Sequence, residues 1–451
     1  MTANALAEWA TSERAVPVAV RDRVAHHVFD GLACALGAIR AGEVPATVEV
    51  AAGLGGPPEA CLPGRPERVS APAAALAWGS LVHALDFDDT HATGLVHATT
   101  VTVPAAFAVG EETGASGAAV LDAIVAGVET ACRVGLAAPY GFQNRGLHAT
   151  MIGGVFASAV IASRLMGLDA RQTADALGIA GSQAGGLLAF LGTGASTKQL
   201  HPGLASHGGI LAARLAAAGA TGPHTVFDGP NGVFDTLADG PTDPQSIGQD
   251  LGERWESLRV GIKPYPACQL SHATLDATAA ALEERPFGAD DVEHLVARVH
   301  PDSAAIVCEP GRDLTAPASQ YAAKFSLPWS VAALIVDGHV GVDTFAADSV
   351  RRPEVSAVAE RVRVEILPSQ TAAADVPGSV DVALRDGTVV SGRVQRSAGG
   401  PDNPLSESAL VAKADALAGR DTTGLLAAVT RLYEQPNLGS LLAEFDALAR
   451  S

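Results

Sequence analysis

The sequence predicts a mainly α fold, with a large all-α helical domain and a smaller α/β domain. Apolar residues recur at three- and four-residue spacing through the first half and more of the chain, broken only by short polar or Gly/Pro stretches. Beyond Lys263 the period changes to strand-like alternation, and from Ser406 it returns to helical spacing. The expected division is therefore 1–262 with 402–451 for the helical domain and 263–401 for the α/β domain, since 451 residues exceed what one core usually serves.

Taken in order, Val20, Val24, Val28, Leu32, Ala35 and Leu36 share one face opposite Arg21, Asp22 and Arg23, which predicts an amphipathic helix after Pro17. Residues 53–66 read as a Gly- and Pro-rich loop. Ser70 and Pro72 then start an alanine-dense helix that delivers Ala84. The helical period resumes over 104–136, where Glu129 and Arg133 are spaced to pair on one face. The helix after Thr150 carries Gly153, Gly154, Ala157, Ser158 and Ala162, small residues that let neighbouring helices approach closely. Residues 177–190 repeat the theme, and a loop over 192–201 leads into a further helix at 203–218. In the second domain, 292–300 and 362–367 read as strands, 325–336 as a buried helix entered through Pro328, and 380–384 with 388–394 as a hairpin turning at Asp386-Gly387. The helices from Ser406 onward are expected to pack back on the first domain.

Composition narrows the function. With 49 acidic against 30 basic residues the net charge is -19, and no Lys/Arg cluster tracks a phosphate backbone, so nucleic acid is not an expected partner. A small anionic substrate stays compatible, because a few cations in one pocket set the local potential whatever the total. The N-terminus lacks a basic stretch followed by a long apolar run, and other apolar runs are interrupted, so no membrane association is expected and the localisation is read as cytoplasmic. Five cysteines, odd in number and far apart, predict reduced thiols.

Chemistry is concentrated in residues 84–104, ALDFDDTHATGLVHATTVTVP, where three aspartates and two histidines interrupt apolar sequence. A buried unpaired carboxylate is costly, so Asp86, Asp88 and Asp89 require cations, donors or a cleft. Asp86 and Thr90, four apart, would share a face of a helical turn, and His97, beyond the Gly94 break, could return toward them. His148, Lys198 with His201, and the segment from Lys263 through Tyr265 to His272 are the other polar groups in apolar or Gly-rich settings. A single His is more often a hydrogen-bonded structural group than a catalyst. Lys198, in a Gly/Ser/Thr loop ahead of a helix, suits anion binding. Asp86, Asp88, Asp89 and His91 form a rival set of hard-metal ligands, but their spacing matches no specific metal motif, so no metal and no cofactor are expected. The GTGAS stretch lacks the strand–loop–Gly-Lys-Ser/Thr order of a phosphate loop.

The order of these motifs resembles the MmgE/PrpD family, which includes 2-methylcitrate dehydratase, cis-aconitate decarboxylase and iminodisuccinate epimerase. The resemblance is carried by Ala84-Leu85-Asp86-Phe87-Asp88-Asp89-Thr90-His91, Arg145-Gly146-Leu147-His148-Ala149-Thr150, Gly178-Ile179-Ala180-Gly181-Ser182-Gln183-Ala184 and Thr197-Lys198-Gln199-Leu200-His201-Pro202-Gly203. Later come Lys263-Pro264-Tyr265-Pro266-Ala267-Cys268, Ser271-His272, Phe325-Ser326-Leu327-Pro328 and Asn403-Pro404-Leu405-Ser406. It implies a helical domain closed by the C-terminal tail, an α/β lid domain and a homodimer.

In the decarboxylase branch the pocket positions fall on Asp86, Thr90, His97, His148, Lys198 and His272. Departures are His97-Ala98-Thr99 where the family commonly has His-Pro-Ser, Ala149 where many members carry Pro, and Trp329 where Tyr is usual. They point to a substrate other than the commonest one. The expected activity is a cofactor-independent lyase that dehydrates a β-hydroxy polycarboxylate, with epimerisation or decarboxylation as alternative outcomes and a non-catalytic binding protein as a third reading. His97 and His148 are the expected proton-transfer pair, with the choice of base open. Asp86 would orient, Lys198 and His272 would neutralise carboxylates, and Thr90, Lys263, Tyr265 and His201 would bind substrate.

Overall fold

The computed structural model describes residues 1–368 and 377–450. It divides into two compact units, one of residues 1–188, 197–260 and 406–451, the other of 189–196 and 261–405. The mainly α class holds. The long elements of the first unit are helices, among them Val18–Ala41, Ala71–His83, Thr99–Thr113, Gly117–Leu136, Ala149–Leu165 and Thr197–Ala217. Ala71–His83 is buried at every position, as an alanine-dense segment with no polar face requires. Glu129 and Arg133 pair as their spacing predicts, at 3.2 Å, but inside the core rather than on a surface.

Close packing of small residues sets how the helices cross. A Cβ on Gly203 would stand 2.2 Å from the Leu76 carbonyl oxygen, and one on Gly79 would stand 2.6 Å from the Gly203 nitrogen. Ala71–His83 and Thr197–Ala217 therefore touch backbone to backbone, which brings the start of the second helix to the end of the first. The helix Glu407–Ala418 is tied to Val18–Ala41 by Lys413, whose Nζ lies 2.6 Å from Asp30 Oδ1.

Local reading fails in several places. The expected loop at 53–66 contains the strand Ala60–Cys61, antiparallel to Arg68–Val69. The helix expected over 177–190 ends at Gly181, ahead of Gly186 at φ 95°. The helix expected from Gly203 begins at Thr197 and runs through Pro202, which puts Lys198 and His201 on its first turns instead of in a loop.

In the second unit the sheet has the strand order Val362–Ile366, Val292–Val299, Gly378–Leu384, Val389–Val394. The first pair is parallel and the other two are antiparallel. The hairpin turns at Gly387, φ 86°, as Asp386-Gly387 predicts. His272–Glu284 packs on the sheet at Gly392, where a Cβ would meet the Ala277 carbonyl oxygen at 1.7 Å. The buried helix Leu327–Asp337 is capped by Ser326, whose hydroxyl accepts from the Trp329 N–H at 3.2 Å. Trp329 itself is fully buried against Phe345, in this unit's hydrophobic core.

Replacing Gly203 by Ala is expected to destabilise the fold by about 1–3 kcal/mol, because the backbones cannot separate without unpacking the crossing. Gly53→Ala, in the helix Pro45–Leu54 with nothing within 4 Å of the new methyl, is expected to be neutral or stabilising. Denaturant midpoints of the two variants check the contrast.

Candidate active site

The helix Ala71–His83 stops at His83 and the chain turns. Asp86 has φ 54°, in the left-handed region where Asp is one of the tolerated residues, and Thr90–His91 is a short strand. The helical turn expected to join Asp86 to Thr90 is not formed. Instead each aspartate, at most 1% exposed, has a partner of its own. Asp86 Oδ1 lies 2.9 Å from Lys198 Nζ. Both oxygens of Asp88 accept from His83 Nδ1, at 2.9 and 2.8 Å. Asp89 lies 2.8 Å from His27 Nδ1 and accepts from the Thr99 backbone N–H at 3.0 Å and from the Thr99 hydroxyl. Burial pulls the Asp89 carboxyl up, but His27 and Thr99 outweigh it and hold it below the usual range. Beneath this turn, Lys413 donates to the Phe87 carbonyl at 2.8 Å as well as meeting Asp30, whose carboxyl burial raises to about 6.

The imidazoles are sorted by what their nitrogens meet. His97 Nδ1 lies 2.9 Å from the Asp89 carbonyl, 3.1 Å from Thr90 Oγ1 and 3.5 Å from Asp88 Oδ2. A carbonyl only accepts, so Nδ1 carries a proton. The backbone N–H of His97 donates to Thr150 Oγ1 at 3.1 Å. His148, at the N-cap of Ala149–Leu165, has its Nδ1 3.1 Å from His201 Nδ1, so one ring donates to the other. Burial, with Lys198 and His201 nearby, holds His148 well below the usual histidine range. Burial together with His83 and Lys198 brings His201 down to about 4. Both rings are neutral near pH 7.

Asp86, Thr90, His97, His148, Lys198 and His201 thus come together within the first unit. With them stands His83, which sequence reasoning missed. Its ring centroid is 4.6 Å from that of His97 and 5.9 Å from that of His148. At the end of an alanine-rich helix it carried no spacing signal beyond its five-residue separation from Asp88. The rival metal set of Asp86, Asp88, Asp89 and His91 is not assembled: Asp89 is taken by His27 and Thr99, while His91 Nε2 meets Glu256 at 3.1 Å and its Nδ1 accepts the Gly94 N–H at 3.0 Å. Among the described residues, the donor atoms close enough to share an ion belong to His83, His97 and His148, or to His83, Asp86, Asp88 and His97, within 4.8 Å of one another.

Three expected site residues belong to the second unit. Lys263 is buried there. Tyr265 donates its hydroxyl to Asp276 at 2.8 Å, and burial with the Asp276 charge raises its phenol well above the usual range. His272 Nε2 lies 3.0 Å from the Ala267 carbonyl, with its ring edge-on to Tyr265 at 5.3 Å.

Residues 4–245 match the MmgE/PrpD N-terminal domain and residues 265–424 the MmgE/PrpD C-terminal domain. The chain is 31% identical over 312 residues to the cis-aconitate decarboxylase-like protein oryM of Aspergillus oryzae, a match that spans 64% of each protein and so less than two thirds of that relative. It is 27% identical over 434 residues to the cis-aconitate decarboxylase of Aspergillus terreus, covering 90% of this chain and 86% of the relative. With the cis-aconitate decarboxylase of Mus musculus it shares 29% identity over 394 residues, 82% of this chain and 78% of the relative. Among the described residues no helix is long and apolar enough to cross a membrane, and all five cysteines are free.

Glu256 offers a test of the His91 pairing. Burial, the largest single influence, raises its carboxyl, but the hydrogen bond and charge of His91, with Arg254 and Arg259, together outweigh it and take the carboxyl from 4.5 to about 2. A depressed folded-state value contributes stability above the unfolded value and loses it on acidification. Stability is therefore expected to fall between about pH 4.5 and 2, and Glu256→Gln should flatten that segment of a pH series of unfolding midpoints.

Proposed function

Because this chain belongs to the MmgE/PrpD family, we propose that it is a cofactor-independent lyase that removes CO2 from a small unsaturated polycarboxylate of the cis-aconitate kind. The observation that carries this reading is the meeting of His97, His148 and the Lys198–Asp86 pair at one buried place in the helical unit. The names of the relatives supply the substrate class. Breaking the C–CO2 bond leaves its electron pair on carbon, which is tolerated when the pair spreads into a neighbouring carboxylate and a fixed cation faces the charge. Lys198 supplies that cation, held by Asp86. The carbon must then gain a proton, which the clustered imidazoles are suited to relay from solvent near neutral pH. His97, its Nδ1 held by the Asp89 carbonyl, and the Thr90 hydroxyl beside it are assigned to substrate. A cytoplasmic location, and the homodimer that the resemblance implies, belong to the same proposal.

Dehydration of a β-hydroxy acid is the second reading, favoured by the 6.1 Å separation of the His97 and His148 rings, since loss of water needs a base and an acid at once. Purified protein incubated with cis-aconitate and with hydroxy di- and tricarboxylates, followed by proton NMR and CO2 detection, separates the two. CO2 release from the unsaturated acid is expected, with or without EDTA. Water loss from hydroxy acids alone would move the assignment to a dehydratase, and no turnover across the panel would leave a binding protein. His148→Ala or Lys198→Ala should each lower kcat by about a hundredfold or more. Near-normal rates in both variants would remove these residues from the chemistry.

A further inference from the structure

We propose that His83, oriented by Asp88, is a further catalytic residue of this pocket, the group whose Nε2 hands the proton to carbon. The inference rests on the lyase reading and deepens it. His83 is fully buried, and its Nδ1 is held by both oxygens of Asp88. Asp88 is itself fully buried, and its other contact is at 3.5 Å to His97. Nδ1 of His83 is thereby committed to Asp88, and Nε2 is left with no hydrogen-bond partner among the described residues. The ring lies beside His97 and His148.

His91 provides the comparison within the same molecule. It is as deeply buried, yet both its nitrogens are engaged, one with Glu256 and one with the Gly94 N–H. An open buried nitrogen costs desolvation; His27 and His300 also leave Nε2 without a partner, and what sets His83 apart from them is its ring contact with both His97 and His148. His83 bears that cost at Nε2, and its ring lies 4.6 Å from that of His97 and 5.9 Å from that of His148. Its other end carries the carboxylate–imidazole pairing that fixes a tautomer and stabilises the imidazolium when a proton arrives. His148 is poorly suited to carry the proton: burial and Lys198 keep it neutral, and its Nδ1 is committed to His201.

The step balances simply. The C–CO2 bond breaks with its electron pair on carbon, and CO2 departs. Carbon takes the proton from Nε2 of the His83 imidazolium, and the ring recovers a proton from water, so the net reaction consumes one proton per CO2 released.

Steady-state kinetics with cis-aconitate on wild type, His83→Gln, His83→Ala and Asp88→Asn test the assignment. The Gln variant keeps a polar side chain but cannot carry the proton. Its kcat should fall about a hundredfold or more with KM within about threefold, and Asp88→Asn should lose about tenfold or more in kcat. Added imidazole should restore part of the lost rate to His83→Ala and none to Asp88→Asn, a response that a merely structural histidine would not give. An active wild type with His83→Gln and Asp88→Asn both near its kcat overturns the inference while leaving the lyase reading intact. So does a loss in His83→Ala that imidazole does not relieve while thermal melting shows the variant folded. Should His83→Ala prove unfolded, the Gln and Asn variants decide. A wild type that turns over no acid removes both proposals together.

Discussion

Among the carboxylates buried in the helical unit, Asp30, Asp86, Asp88 and Asp89 must each be matched by a positive or donating group. Asp30 meets Lys413, Asp86 meets Lys198, Asp88 meets His83 and Asp89 meets His27. Removing one partner of such a pair leaves a buried charge uncompensated, at a cost on the order of 3–5 kcal/mol. The pairs join the helix Val18–Ala41, the turn after His83, the helix Thr197–Ala217 and the helix Glu407–Ala418. Assembling the pocket and completing the fold are therefore the same event, and Lys413 takes part in both by holding the Phe87 carbonyl of the turn.

That constraint also differentiates the histidines. Those with both nitrogens engaged, such as His91, hold backbone and side chains in place. Those with Nδ1 locked to an oxygen, His83 and His97, are fixed in orientation by it. His148 and His201 share one hydrogen bond and stay neutral because burial and nearby cationic or imidazole groups oppose charging them. One residue type thus serves as clamp, proton carrier and neutral partner, with environment deciding among the roles.

Much of the fold was legible in the chain. The helical period, the Asp386-Gly387 hairpin and the Glu129–Arg133 pair are local features, and local spacing predicts them. The polar run at 84–104 was likewise legible as a place of chemistry, because carboxylates in apolar sequence need partners. Its geometry was not. Four-residue spacing suggests that Asp86 and Thr90 share a helical face, but the backbone at Asp86 is left-handed, and spacing carries no information about the sign of φ. The helix through Pro202 was hidden because proline ordinarily marks a helix start. His83 was hidden because nothing in an alanine-rich helix distinguishes an open histidine from a closed one.

What the sequence alone determined is the class of structure, the stretches that enter the core and the places where polar groups would need explanation there, since these follow from periodicity and from the cost of burying charge. Only the tertiary structure decided which group answers which carboxylate. Asp88 finds His83 five residues away, Asp86 finds Lys198 at 112, and the Phe87 carbonyl finds Lys413 at 326. Electrostatic pairing depends on distance in space, and helices that cross at Gly79 and Gly203 bring together residues whose separation along the chain says nothing of their meeting.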